Sequence, residues 1–233
     1  MEKAINLLWT SGWDSTFRLL EIIFKEKKKV QPYYIIDHNR KNSNFELKAI
    51  DKILKDLEDT YPTERKLILP LIIKEKKDIN IPIHITNAFN KINTVIRIGT
   101  QYEWLAAFCE QEKLTEVELS VFKNERTLQI FNDSNQSDLK NAIHTLYKNF
   151  SFPLLDVNKM DMLLIARENN WLQFMNSTWF CHKPKNGKPC GKCNPCLITI
   201  KEGLGFRIPF INRLKGKIKI AKKRVKKSLG LKR

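Results

Sequence analysis

Two stretches of this chain combine residue types and spacings that can do chemistry. The first is Leu7-Leu8-Trp9-Thr10-Ser11-Gly12-Trp13-Asp14-Ser15-Thr16. An apolar run from Ala4 to Trp9 gives way to small polar residues, and an amphipathic segment begins at Asp14. That order predicts a buried strand, a tight turn and a helix opening on Asp14 or Ser15. Gly12 is the residue expected to adopt a backbone conformation closed to others, and to let a ligand approach the main chain. The N–H groups of a helix start can hold an anion, and Thr10, Ser15 and Thr16 add hydroxyls. The functional reading is a phosphate or pyrophosphate cradle; an ordinary strand-to-helix turn uses the same residue types. A Walker-type loop is excluded because no Gly-Lys-Ser/Thr follows, and the glycines of a dinucleotide fingerprint are missing.

The second stretch holds Cys181, Cys190, Cys193 and Cys196, spaced Cys-x8-Cys-x2-Cys-x2-Cys. Four soft thiolates, with Gly191 and Pro195 shaping tight turns, suit a tetrahedral structural zinc site. An iron–sulfur cluster uses similar ligands, and His182 is an alternative fourth donor. A closed site would fix residues 181–196 without doing chemistry, its metal standing in for a core too small to fold alone. Cys109 sits among apolar residues at helical spacing and reads as a core residue.

The elements that must position these groups alternate between strands and helices. Asp14 to about Lys25 reads as a helix with Phe17, Leu20 and Phe24 on one stripe. Val30–Ile36 is a strand ending at Asp37, and Phe45 to Leu57 a helix. Lys66–Ile73 is a strand interrupted by Pro70. Residues 74–93, with Pro82 and His84, read as an excursion or a long connection. Gln101–Lys113 is a helix with Leu105, Phe108 and Cys109 inward. Val117–Phe122 is a strand, Leu139–Tyr147 a helix, Phe152–Leu155 an edge strand and Lys159–Asn169 a helix. The expected fold class is α/β, a doubly wound, mostly parallel sheet covered on both faces. Ligands then sit outside the carboxyl ends of the strands, where Thr10–Ser15, Asp37 and Phe122 fall.

A chain of 233 residues with 42% hydrophobic and 29% charged residues is globular in composition. No apolar run approaches the ~20 residues of a membrane span, and Met1-Glu2-Lys3 leads straight into a strand without a signal-like segment. A cytoplasmic protein is the expectation. The net charge of +17 is concentrated at one end: residues 213–233 hold eleven Lys or Arg and no acid, and the other 212 residues balance 31 basic against 25 acidic. From Ile211, apolar residues at Leu214, Ile218, Ala221, Val225 and Leu229 form a helical stripe among lysines. Such a helix packs its stripe on the body, or lies on an anionic surface, nucleic acid or membrane, or on a protein partner.

The first stretch resembles the pyrophosphate-binding loop of N-type ATP pyrophosphatases, Ser-Gly-Gly-x-Asp-Ser. Thr10 and Ser11 replace the first Ser and Gly, while Gly12, Asp14 and Ser15 match. With the cysteine pattern and Phe152-Pro153-Leu154-Leu155-Asp156-Val157-Asn158-Lys159, residues 4–205 resemble the 7-cyano-7-deazaguanine synthase family. The resemblance implies an adenine-nucleotide α-hydrolase-like (PP-loop) fold, a four-cysteine zinc site, ATP with Mg²⁺, and a homodimer. It implies adenylation of the carboxylate of 7-carboxy-7-deazaguanine, attack by ammonia to give an amide, and a second activation to the nitrile. Thr10, Ser11, Gly12, Trp13, Asp14, Ser15, Thr16 and Asp37 are then nucleotide-binding candidates. Asp14, Ser15 and Lys159 are catalytic candidates, and Cys181, Cys190, Cys193 and Cys196 metal ligands. The expected organisation is a PP-loop domain over residues 1–180, a zinc segment over 181–205 and a basic tail over 206–233.

This chain departs from the family pattern in three places. Arg97-Ile98-Gly99-Thr100-Gln101 lacks the family's Arg-Asn pair. Phe122–Thr127 lacks its acidic substrate segment. Asp37-His38-Asn39-Arg40 is a reduced form of its aromatic-Gly-Gln-Arg-His element. Two further readings follow from these departures: adenylation of a different carboxylate, or a nucleotide-binding adaptor without synthase activity.

Overall fold

The computed structural model describes residues 3–39, 42–121 and 137–228. The described strands are β1 (Ile5–Leu8), β2 (Val30–Ile36), β3 (Ile72–Glu75), β4 (Val117–Glu118) and β5 (Phe150–Ser151). They form one parallel sheet in the order β3-β2-β1-β4-β5. The register sets Ile5 beside Val30 and Leu8 beside Tyr33. The described helices are α1 (Trp13–Leu20), α2 (Ser43–Thr60), α3 (Pro62–Arg65), α4 (Ile83–Val95), α5 (Gln101–Gln111), α6 (Ser137–Tyr147), α7 (Lys159–Glu168), α8 (Leu172–Ser177), α9 (Asn194–Lys201) and α10 (Phe210–Ser228). α1 runs on into a π-turn, Glu21–Glu26, that ends on a left-handed Lys27.

Successive strand side chains point to opposite faces, so each face has its own core. Leu7, Trp9, Val30 and Tyr34 pack with Phe17, Ile50, Leu163 and Phe174, drawn from α1, α2, α7 and α8, and with Trp171, which caps α8. Leu8, Tyr33 and Ile35 pack on the other side with Phe89, Trp104, Phe108 and Leu146, from α4, α5 and α6. The sheet is doubly wound, as the alternation of elements predicts. Arg18 of α1 grips Glu118 of β4 through two hydrogen bonds of 2.7 and 2.8 Å, which locks the first helix to the strand on the far side of β1.

Several boundaries differ from expectation for identifiable reasons. The third strand is Ile72–Glu75 rather than Lys66–Ile73; upstream of Pro70 only a bridge from Val30 to Ile68 forms. Proline cannot donate to a ladder, so pairing restarts beyond it. Residues 74–93 are not a plain connection. They contain α4, which starts where Ile85 and Thr86 N–H donate to Pro82 O and buries Ile85, Ala88, Phe89 and Ile92. β4 is two residues long, and Phe122 lies outside the described residues. The edge strand is Phe150–Ser151, just upstream of the Phe152–Leu155 segment.

The terminal helix corrects a second expectation. The Leu214, Ile218, Ala221, Val225 stripe does not pack on the body; these residues are exposed, and Leu229 lies outside the described residues. The helix instead buries the opposite side, at Gly216 and Ile220. A Cβ on Gly216 would stand 2.4 Å from Gly191 O, so close backbone approach selects the buried face.

Candidate functional site

The loop after β1 is built by backbone geometry. Trp9 N–H donates to Tyr33 O at 2.9 Å, the last such bond to β2, and the chain then turns at Ser11, whose φ is 53°. Gly12 is extended, with φ −71° and ψ 165°, and caps α1 without a side-chain bond. The strained residue is therefore Ser11, not Gly12. Serine tolerates this region at a cost of about 1 kcal/mol or more, and Gly12 contributes main chain unobstructed by a side chain. The first helical bond joins Thr16 N–H to Gly12 O at 3.0 Å. The N–H groups of Trp13, Asp14 and Ser15 consequently have no acceptor within the helix.

A cavity of about 220 Å³ opens beside this loop, beyond the carboxyl ends of β1, β2 and β4. The strand order reverses direction here, the position at which open α/β sheets bind ligands. Thr10, Gly12, Asp14, Ser15 and Asp37 line it, with Tyr34, Glu46, Gln101, Trp104 and Ser120. Ser11, Trp13 and Thr16 do not. Ser11 is fully buried, Thr16 Oγ1 accepts the Trp9 indole N–H at 3.0 Å, and Trp13 packs beneath Arg207. The hydroxyls of Ser11 and Ser120 are buried, with no hydrogen-bond partner among the described residues. Buried polar groups are rarely left unsatisfied. A bare helix start with the unpartnered Ser120 hydroxyl on the same cavity fits an anionic ligand.

Charge at the mouth of the loop is arranged by α7. Asn158 caps that helix, its side chain accepting the N–H groups of Met160 and Asp161 at 2.8 and 3.1 Å. This cap fixes Lys159 at the first helical position, and its ammonium pairs with the Asp14 carboxylate. Glu202 lies close to the pair: burial pushes its carboxyl above the usual range, Lys159 opposes the shift and Asp14 reinforces it. On the far side, Asp37 accepts Lys76 Nζ at 3.0 Å, and that ammonium also lies 5.4 Å from the Trp104 ring centre.

The four C-terminal cysteines come together as the spacing predicts. Their sulfurs lie within 4.8 Å of one another, with Cys181–Cys193 at 3.8 Å, Cys190–Cys196 at 4.0 Å and Cys193–Cys196 at 3.4 Å. A tetrahedron of sulfurs ~2.3 Å from zinc has edges of about 3.8 Å. No disulfide forms. Backbone N–H groups of Cys190, Lys192 and Cys193 point at Cys181 and Cys190 sulfurs at 3.2 to 3.4 Å, the orienting shell expected of thiolate ligands. Contact with Cys181 and Cys196 holds the Cys193 thiol well below its usual range. Gly191 takes φ +73°, and any Cβ there would sit 2.0 Å from Asn212 O. His182 lines the groove next to this cluster; the four sulfurs leave it no ligand position to fill. Cys109 is fully buried, and burial raises its thiol to about 12.

The cysteine segment also supports the loop, a connection the sequence pattern did not reveal. Trp179 N–H donates to Ser11 O at 2.9 Å, its indole N–H donates to Cys181 O at 2.9 Å, and its ring stacks on Phe45 at 4.8 Å. The Arg207 guanidinium lies between Trp13 and Phe180, 4.7 Å from each ring, and donates to Thr178 O and Oγ1. Burial pulls that guanidinium below its usual range, and the charge of Asp14 opposes the shift. Arg207, Trp179, Gln101 and Trp104 are all absent from the sequence-derived candidates. Their only available signal was position: an aromatic beside the first cysteine, and polar or aromatic residues opening a helix after a strand.

Comparison with known proteins adds sequence kinship to this geometry. The family model for queuosine biosynthesis protein QueC matches residues 3–204. A 7-cyano-7-deazaguanine synthase from Prochlorococcus marinus subsp. pastoris is 46% identical over 46 residues, 20% of this chain and 19% of that protein. One from Leptospira interrogans serovar Lai is 39% identical over 49 residues, 21% of this chain and 19% of its own. The alignments thus span about a fifth of the curated relatives.

Proposed function

From the premise that this chain belongs to the QueC family of queuosine biosynthesis proteins, we propose that it is an ATP-dependent carbon–nitrogen ligase. It adenylates the carboxylate of 7-carboxy-7-deazaguanine for attack by ammonia, giving first an amide and then a nitrile. The observation that supports this most directly is the ungripped start of α1 together with the unpartnered Ser120 hydroxyl, both at a cavity at the sheet's switch point. Helix starts of this kind bind anions through N–H groups and dipole together.

In the first half-reaction a carboxylate oxygen attacks the α-phosphorus of ATP and the bond to pyrophosphate breaks. Negative charge grows on the departing pyrophosphate, where the loop N–H groups and the Ser15 hydroxyl stabilise it without reorganising. Lys159 supplies the cationic partner, exchanging Asp14 for phosphate oxygen. Asp14 is the carboxylate that would hold Mg²⁺ bound with the nucleotide, and that ion would supply further charge neutralisation. Ammonia then attacks the acyl carbon, AMP leaves with one former carboxylate oxygen, and loss of a proton gives the amide. A second ATP adenylates the amide oxygen, and departure of AMP and two protons in all leaves the nitrile. The contribution of the protein is position and charge, the terms that dominate such transfers. Cys181, Cys190, Cys193 and Cys196 would hold zinc in a structural part, fixing the segment from which Trp179 and Arg207 brace the loop.

Zinc-loaded full-length chain, supplied with Mg-ATP, ammonium and 7-carboxy-7-deazaguanine, is expected to release AMP and pyrophosphate in proportion to nitrile detected by mass spectrometry. AMP release with no deazaguanine product, but with another carboxylate converted, would make the acceptor wrong. No nucleotide turnover and no ATP binding by calorimetry would remove the ligase reading.

A further inference from the structure

The C-terminal helix lies beyond the family match, which ends at residue 204, and nothing in the ligase reading uses it. We propose that the outward face of α10 docks this protein on the surface of an anionic lipid bilayer.

The orientation of the helix is fixed from beneath. Asn212 Nδ2 donates to Pro189 O at 2.9 Å, Gly216 abuts Gly191, and Ile220 is buried. These residues recur every fourth position and define the inward face. The outward face is therefore presented and not merely frayed. It carries Phe210, Ile211, Leu214 and Ile218 at 69%, 65%, 49% and 49% exposure, extended at its foot by Phe206 at 49%. Lys215 and Lys222 run along one flank of this row, and Arg213, Lys217 and Arg224 along the other; Lys219 and Lys223 turn towards the cysteine segment, where Lys219 Nζ donates to Lys192 O at 2.9 Å. No acidic residue follows Glu202. Nineteen residues give a rod of about 28 Å.

The occupant follows from this combination. The inward face already packs on the body, so the body cannot cover the apolar row. A second copy would bring an equally basic helix against this one, with no carboxylate in the segment to neutralise it. A nucleic-acid backbone satisfies the lysines but leaves a row of Phe, Ile and Leu facing water. An interfacial bilayer surface takes both: the row enters the headgroup–acyl boundary and the flanking cations meet phosphates. No described helix is long and apolar enough to cross a membrane, so the mode is lying on it. Beside the helix, a groove of about 710 Å³ sets Lys183, Lys185 and Lys192 of the cysteine segment opposite Lys215, Lys219 and Lys223, with no carboxylate lining it.

The test is co-sedimentation of the full-length chain with vesicles of phosphatidylcholine alone and of equimolar phosphatidylcholine and phosphatidylglycerol, at low and high salt. Binding is expected to the anionic vesicles, weakened by salt, and lowered roughly tenfold by the Leu214→Gln/Ile218→Gln variant. Both residues face solvent, so this variant keeps the wild-type melting temperature and nucleotide turnover. Failure to bind anionic vesicles at low salt overturns the proposal. So does binding that survives the double substitution while duplex DNA or RNA binds more tightly at the same salt, which would assign the face to a nucleic-acid backbone. A self-associated wild type that becomes monomeric on the double substitution assigns it to a second copy and likewise overturns it.

Discussion

At the scale of single residues, the loop divides its tasks in a way that residue types alone misassign. Glycine is the usual left-handed residue, yet Ser11 holds that conformation and Gly12 is extended. Trp179 N–H on Ser11 O and full burial of Ser11 over-determine the turn, so the strain is tolerated. Sequence pattern identifies which residues form the loop, but not which one bends, because that depends on a donor, Trp179, from the other end of the chain. Asp14→Asn should lower kcat about a hundredfold or more with little change in melting temperature, since it removes the carboxylate that would hold Mg²⁺ at the phosphates and keeps shape. Lys159→Met should cost a similar factor, and the double variant should cost less than the product of the two, as expected of groups acting on one leaving group. Steady-state kinetics of the four proteins decides; strictly multiplicative losses would separate the two residues. Gly191→Ala should destabilise the chain by about 3 kcal/mol or more, read as a fall in thermal midpoint, because it combines a left-handed φ with backbone overlap.

At the scale of elements, most of the sheet and the helices around it are legible because each carries one strong period. β2 runs Val30–Ile36 as its apolar run dictates, and α5 buries Leu105, Phe108 and Cys109 at helical spacing. α4 is less legible: its inward residues Ile85, Ala88, Phe89 and Ile92 are diluted by polar neighbours and preceded by prolines and a lysine run. β4 shrinks to two residues since pairing with β1 rests on Leu7 opposite Glu118 alone. The cysteine segment is legible as a cluster of four thiols that could hold a metal and silent as a brace for the loop, because placement of Arg207 between Trp13 and Phe180 leaves no mark in spacing. Arg207→Met is expected to raise the KM for ATP about tenfold through loss of that planar cation, with Arg207→Lys failing to restore it. Unchanged KM in both would mean that the brace does not reach the nucleotide.

At the scale of the whole molecule, the cavity beside the loop, the cysteine cluster and the terminal helix are linked through short contacts. The segment 177–213 spans from the loop, through four sulfurs, to the inward face of α10. Chelation should therefore lower the thermal midpoint and weaken ATP binding together. Thiol titration should find four reactive cysteines after chelation and the fifth, Cys109, only on unfolding, because burial holds that thiol up at about 12. Reaction of Cys109 in the folded chain would contradict the packing of α5. Attack of the carboxylate on the α-phosphorus, as proposed, is read out by oxygen-18 in the carboxyl group of 7-carboxy-7-deazaguanine. Adenylation predicts that the AMP released in each half-reaction carries the label, transferred first from the carboxylate and then from the amide. Unlabelled AMP, or label appearing in inorganic phosphate, would contradict it.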